Sequence, residues 1–299
     1  MALSLYDQTY DMSEFTRRFV AAQIVGGRER QEDDFAILDL SDDRRERLLF
    51  VVTDGMGGHA GAAKASHFAT RQFCKFVESC EGPLASRLRP ALDSANTEIA
   101  LSGVRDTTIK GAGCTLVAAA LEDGALSWIS VGDSCLFLFR DRQLRKLNAD
   151  HSTNPRSGKI GAALGNSRRR VLQSALTGNE LKLVDSSQEP FRLFAEDSII
   201  LASDGLEILS NRKIASILTR SERLSPAAVV ARLLKAVQAG PRHMQDNTTI
   251  VFYRARPGSR RDLANRALSP KRRSFWKLFL AVLLCAALLF VAVQWISNP

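Results

Sequence analysis

LLFVVTDGMGGHAG, residues 48–61, sets an apolar run of strand length against an aspartate and then a cluster of glycines. Leu48–Thr53 reads as a buried strand. Asp54 therefore falls at the rim of a sheet with its backbone fixed, and Gly55 beside it leaves room for a ligand or exposes a carbonyl. Four other places repeat the arrangement: RERQEDDFAIL around Asp33, SWISVGDSCLF at Asp133, SIILASDGLEIL at Asp204 and MQDNTTIVFY at Asp246. One Asp beside a Gly is usually an ordinary turn, but five at strand ends form a set. Carboxylates that converge in this way bind hard divalent cations, Mg²⁺ or Mn²⁺, because those ions take oxygen ligands and keep several waters.

Working outward, short apolar or alternating runs read as strands at Phe19–Val25, Asp34–Leu40, Leu48–Thr53, Thr115–Leu121, Ala125–Val131, Cys135–Arg140, Ser198–Ser203 and Thr248–Arg254. Helical periodicity occupies Ala62–Glu78, Pro83–Leu101, Asn211–Glu222 and Pro226–Ala239. The last is the clearest, with Ser225 as its cap, Pro226 in the first turn, an apolar stripe at Val229, Val230, Leu233, Leu234 and Val237, and Gly240 at its end. Strands cluster and helices come in consecutive pairs, which predicts an α+β layered fold with largely antiparallel sheets.

The 299 residues carry 41 Lys+Arg against 32 Asp+Glu, a net of +9. Nine of the basic residues fall between Arg254 and Lys277 with a single acid, Asp262, so this short segment holds nearly all of the excess. Nucleic acid is thus not an expected partner: the rest of the chain is close to neutral. Leu278 begins LFLAVLLCAALLFVAVQWISNP, uncharged to its last residue and long enough to cross a hydrocarbon core of ~30 Å. Trp276 and Trp295 bracket it as interfacial anchors, and the preceding Lys271, Arg272, Arg273 and Lys277 favour a cytoplasmic location for everything before residue 278. The expected organisation is a domain over 1–253, a basic juxtamembrane linker over 254–277 and a transmembrane helix over 278–296, anchoring the protein in the cell's inner membrane. Five cysteines without a C-x-x-C pair suit a reducing compartment.

The motifs in this order resemble those of the metal-dependent Ser/Thr protein phosphatases of type 2C, in their bacterial form. The resemblance rests on Arg28-x-x-x-Glu32-Asp33, VVTDGMGGH (51–59), GAGCTLVAA (111–119), VGDS (131–134), DHS (150–152), LASDGL (201–206) and DNTTIV (246–251). It implies a four-layer α-β-β-α sandwich of two antiparallel sheets flanked by helix pairs, with two Mn²⁺ or Mg²⁺ ions at one end. By position, Asp54 would bridge the two ions and the Gly55 carbonyl would bind one of them. Asp204 and Asp246 would complete the other, Glu32 and Asp33 would hold water around them, and Asp133 with Asp204 would hold a third, weaker ion.

A pair of such cations lowers the pKa of water enough to supply hydroxide for in-line attack at phosphorus, without a covalent phosphoenzyme. Arg28 suits the phosphate, since a guanidinium matches two phosphoryl oxygens at once. His59, beside the metal loop, is the candidate proton donor for the departing alkoxide; animal members of the family carry their acid directly after DG, where this chain has Met56. His67 reads as structural. Three departures from the family pattern stand out: Gln31 replaces the usual Asn, Cys135 replaces the Arg that commonly follows GDS, removing a charge near the third-ion region, and Gly61, Ala62 and Ala63 stand where a Gly and a Glu are common. Arg168, Arg169 and Arg170 fall where the family has a mobile flap, as a lure for acidic phosphopeptides or as a solvated basic loop. The expected substrates are phosphorylated proteins, with a cognate Ser/Thr kinase implied. The alternative is a catalytically inactive membrane scaffold built on the same fold.

Overall fold

The computed structural model of the chain describes residues 3–4, 18–57, 60–153 and 171–255. One sheet runs Asp33–Asp39, Arg47–Met56, Leu116–Glu122, Ala125–Val131, with short edge pieces at Leu3–Ser4, Gly113–Cys114, Asp185–Ser186 and Phe191–Arg192. The other runs Phe19–Ile24, Thr248–Arg254, Ser198–Ala202, Cys135–Arg140, Gln143–Lys146. Every pairing in both is antiparallel.

The two-residue period of the strands divides the apolar side chains among three cores. Leu49, Val51, Ala118 and Ala120 face helices α1 (Ala60–Ser79) and α2 (Leu84–Arg105). Their neighbours Leu48, Phe50, Val52, Val117, Ala119 and Leu121 point the other way, into the space between the sheets, and meet Leu136, Leu138, Ile199, Leu201, Val251 and Tyr253 from the second sheet. The second sheet's alternate residues, Phe137, Phe139, Ile200, Ile250 and Phe252, pack against α3 (Asn211–Thr219) and α4 (Pro226–Gln238). The result is the expected order of helices, sheet, sheet, helices.

Helix α4 follows its sequence reading closely, with Ser225 Oγ accepting from the Ala228 N–H and the expected five-residue stripe buried. Helix α3 ends three residues before its expected boundary. There Thr219 Oγ1 donates to the Ala215 carbonyl and the Ser221 N–H closes a tighter turn on Leu218. Strand Gln143–Lys146 was not anticipated. It returns from Arg140 through Asp141 and Arg142 at φ 50° and 61°, a tight hairpin turn made without the Asn-Gly or Asp-Gly that usually marks one. The expected linker was to begin at Arg254, which instead ends the last strand, with Ala255 buried behind it; the remainder of the linker and the transmembrane helix lie outside the described residues. Among the described residues no helix is long and apolar enough to cross a membrane.

Phe50 is fully buried at the centre of the inter-sheet core, with ring centroids 5.8 Å from Phe19 and 5.5 Å from Tyr253. Phe50→Ala should lower unfolding free energy by about 3–5 kcal/mol, read as a reduced urea midpoint at unchanged slope.

Candidate active site

All five aspartates lie at strand ends on one rim of the sandwich. Asp33 opens its strand and Asp54 lies near the end of the next; the two are directly opposed across the ladder. Asp204 follows Ser203 at the end of Ser198–Ala202, and Asp246 precedes Thr248–Arg254, which pairs with it. Asp133 lies in the turn joining the sheets, between Ala125–Val131 and Cys135–Arg140.

Local chemistry fixes each of them. The Asp54 N–H donates to Thr115 Oγ1 at 3.1 Å, and the Thr115 hydroxyl shares a hydrogen bond with Ser134 Oγ at 2.7 Å, tying the Asp54 strand to the Asp133 turn. Gly132 permits this closeness: at φ +104° a side chain would be strained, and a Cβ would lie 2.6 Å from Thr115 Cγ2. The Gly55 N–H donates to the Glu32 carbonyl, and a Cβ at Gly55 would lie 2.4 Å from the Ala62 carbonyl oxygen.

Asn247 acts as a strap: Oδ1 accepts from the Glu32 N–H, while Nδ2 donates to the carbonyls of Val25 and Arg30, each bond 2.9 Å. The Arg28 guanidinium donates to Asp246 Oδ2 at 2.5 Å, with both side chains partly exposed.

Asp33 joins the sheets. Its Oδ2 accepts from Ser203 Oγ at 2.7 Å and Thr249 Oγ1 at 2.8 Å, both on the opposite sheet. Its Oδ1 is buried without a partner among the described residues. Sequence reasoning assigned Asp33 to water around the ions; one of its oxygens instead serves the fold. Ser203, Thr249, Asn247 and Thr115 were missed as site residues, although all four lie inside the motifs quoted above.

Burial is the main reason that these carboxylates resist ionisation. It pushes Asp33 up to about 6, against the pull of the two hydroxyls, with Asp246 and Glu32 adding repulsion. Burial, then repulsion from Asp133, Asp246, Asp33 and Glu207, pushes Asp204 up to about 7. Asp54 is raised well above the carboxylate range by burial and by Asp33, Asp204, Asp133 and Asp246.

This donor set fits Mn²⁺ or Mg²⁺. Crowded carboxylates and an orphaned buried oxygen call for a hard cation. Among the described residues no three His, Cys, Asp or Glu side chains enclose a single point.

One sequence expectation changes. Cys135 does remove the usual arginine, but Lys146 on the unanticipated hairpin strand brings a cation back: its Nζ lies 3.3 Å from Glu207 Oε1, toward which Cys135 Sγ also points at 3.4 Å. His151 proves to hold the loop, Nδ1 accepting from the Gly132 N–H at 3.2 Å, and burial lowers its pKa. His67 pairs with Asp34 at 3.2 Å. His59 and Arg168, Arg169 and Arg170 lie outside the described residues.

A two-sheet sandwich between helix pairs, with a carboxylate cluster on one rim, defines a divalent-metal hydrolase architecture. Residues 24–239 match the family described as Protein phosphatase 2C. The serine/threonine phosphatase stp of Listeria monocytogenes is 31% identical over 237 residues, 75% of this chain and 90% of that protein. The crystal structure of the Mycobacterium tuberculosis serine/threonine phosphatase PstP/Ppp superposes with a TM-score of 0.64 at 26% identity, over 80% of this chain and 98% of that one. The PstP catalytic domain in complex with two manganese ions gives 0.62 at 27% identity, over 79% and 97%. The chain belongs to the protein phosphatase 2C family.

The raised carboxylates bind protons in the folded state at pH values where the unfolded chain, with ordinary values near 3.8, has released them. Their contribution to stability is present at low pH and is lost as pH rises towards 6 and 7. Chelator-treated protein should therefore lose thermal midpoint between about pH 4 and 7, and Asp204→Asn should flatten that slope.

Proposed function

We propose that this chain hydrolyses phosphoserine and phosphothreonine on proteins, using two Mn²⁺ or Mg²⁺ ions. The observation that carries the reading is the crowding of Asp33, Asp54, Asp204 and Asp246 at one rim, where neighbouring carboxylates add to burial in raising the affinity of Asp33, Asp54 and Asp204 for positive charge. Asp54, the Gly55 carbonyl, Asp204 and Asp246 are the ligands, with Asp133 and Asp204 available to a third ion. Bound there, the cations supply activated water for attack on phosphorus.

The chain's own groups do the rest. Arg28 presents its guanidinium beside Asp246, so a phosphate held by it lies against the carboxylate cluster. Asp33 Oδ1 and Glu32 supply acceptors that orient water. Thr115, Ser134 and His151 keep the Asp133 turn in place. His59 is the proposed proton donor to the leaving alkoxide. Substrates are phosphoproteins, with a Ser/Thr kinase as their source.

Addition of chelator should abolish phosphate release from a phosphothreonine peptide, with recovery on Mn²⁺. Asp54→Ala and Asp204→Ala should each cost more than the ~10–100-fold typical of outer partners of a metal, with circular dichroism unchanged. Activity indifferent to chelator would remove the reading. The inactive scaffold is the alternative, and calorimetry showing no Mn²⁺ binding would favour it.

Membrane tethering is a further part of the proposal, supported by the uncharged run from Leu278 and the basic segment before it. The catalytic domain then faces the cytoplasm from the inner membrane. A chain ending at Arg256 should move from the membrane pellet to the supernatant on fractionation; retention in the pellet would contradict the anchor.

A further inference from the structure

Next to Arg28 the surface has a second feature that catalysis does not use. The turn Arg242–Met244 abuts the Gly26-Gly27 pair that leads into Arg28: the Gly27 N–H donates to the Gln245 carbonyl at 3.2 Å, and a Cβ at Gly27 would fall 2.0 Å from the Arg242 carbonyl oxygen. The turn is held from below. Gln245 is buried and its Nε2 donates to the carbonyls of Gln238 and Gly240 at the end of α4, at 3.0 and 2.7 Å, while the Met244 N–H closes on Pro241.

On this fixed base all three side chains of the turn point outward. Met244 is 58% exposed, and Val25 across the glycine pair is 39% exposed, two of few large apolar side chains left open among the described residues. Arg242 and Arg30 are exposed on the same two segments and form no ion pair among the described residues; Glu29 is the one carboxylate on Val25–Gln31. A rigid turn that shows apolar and cationic groups to solvent, next to the phosphate-binding arginine, contributes little to the core below it.

We propose that Arg242, Met244, Val25 and Arg30 form a docking lip for the polypeptide flanking the phosphorylated residue, selecting substrates with an acidic and an apolar residue beside it. The inference rests on the phosphatase reading and names its substrate class. Charge complementarity and continuity with the phosphate position identify the occupant. Met244 and Val25 cover an apolar side chain, and Arg242 and Arg30 face an acidic one, in a rim exposed enough for salt to screen it.

The test uses the full chain with Mn²⁺ and three substrates: p-nitrophenyl phosphate, a phosphothreonine peptide flanked by Glu and Leu, and the same peptide flanked by Lys and Ser. The wild type should favour the Glu/Leu peptide in kcat/KM, less so at high salt. Arg242→Glu should reduce that preference by roughly three- to tenfold, as expected for reversal at an exposed charge pair. Met244→Ser should raise KM for the Glu/Leu peptide at unchanged kcat. Turnover of p-nitrophenyl phosphate should be the same in all three proteins. An unchanged peptide preference in both variants overturns the lip while leaving the phosphatase reading intact, and so does equal loss on all three substrates. No turnover of any substrate by the wild type overturns both.

Discussion

One carboxylate oxygen holds the two sheets in register at the working end of the molecule. Asp33 Oδ2, buried between strand Asp33–Asp39 and the opposing sheet, accepts from Ser203 and Thr249, residues 170 and 216 positions away in sequence. A hydrogen bond to a charged acceptor contributes roughly 1.5–3 kcal/mol, and two of them converge here. Their position matters more than their sum. Ser203 immediately precedes Asp204 and Thr249 lies three residues after Asp246, so locking these hydroxyls to Asp33 brings the aspartates of both sheets to a common rim.

Around that bond the chain trades side chains for proximity. Gly55, Gly205 and Gly132 each stand where an added Cβ would meet another segment at less than 3 Å, and each borders one of the clustered aspartates. The approach concentrates negative charge in a partly dry place. Burial alone raises the carboxylates, and neighbouring carboxylates raise them further. The folded chain is thereby held in a state that a divalent cation relieves, which couples metal affinity to the stability of the sandwich.

The sandwich was largely readable from residue order because its strands alternate so regularly. Leu48 to Val52 divide between two cores by the period of two alone. The hairpin strand Gln143–Lys146 escaped notice because its turn uses Asp141 and Arg142 at positive φ, a conformation for which those residues are not the usual markers. Missing that strand also hid Lys146, whose ammonium sits by Glu207 near the place of the arginine that Cys135 replaces.

Sequence by itself determined the helices, the long strands other than Gln143–Lys146, the family and the set of aspartates, because periodicity and the Asp-Gly motifs are local signals carried by adjacent residues. Only the tertiary structure decided that Asp33 is a clamp between sheets, that Arg28 rests on Asp246 and that Asn247 straps three segments together. Each of these depends on which polar groups meet after burial has removed water as a partner. A buried acceptor must then find a donor wherever the fold places one, and sequence distance gives no measure of that.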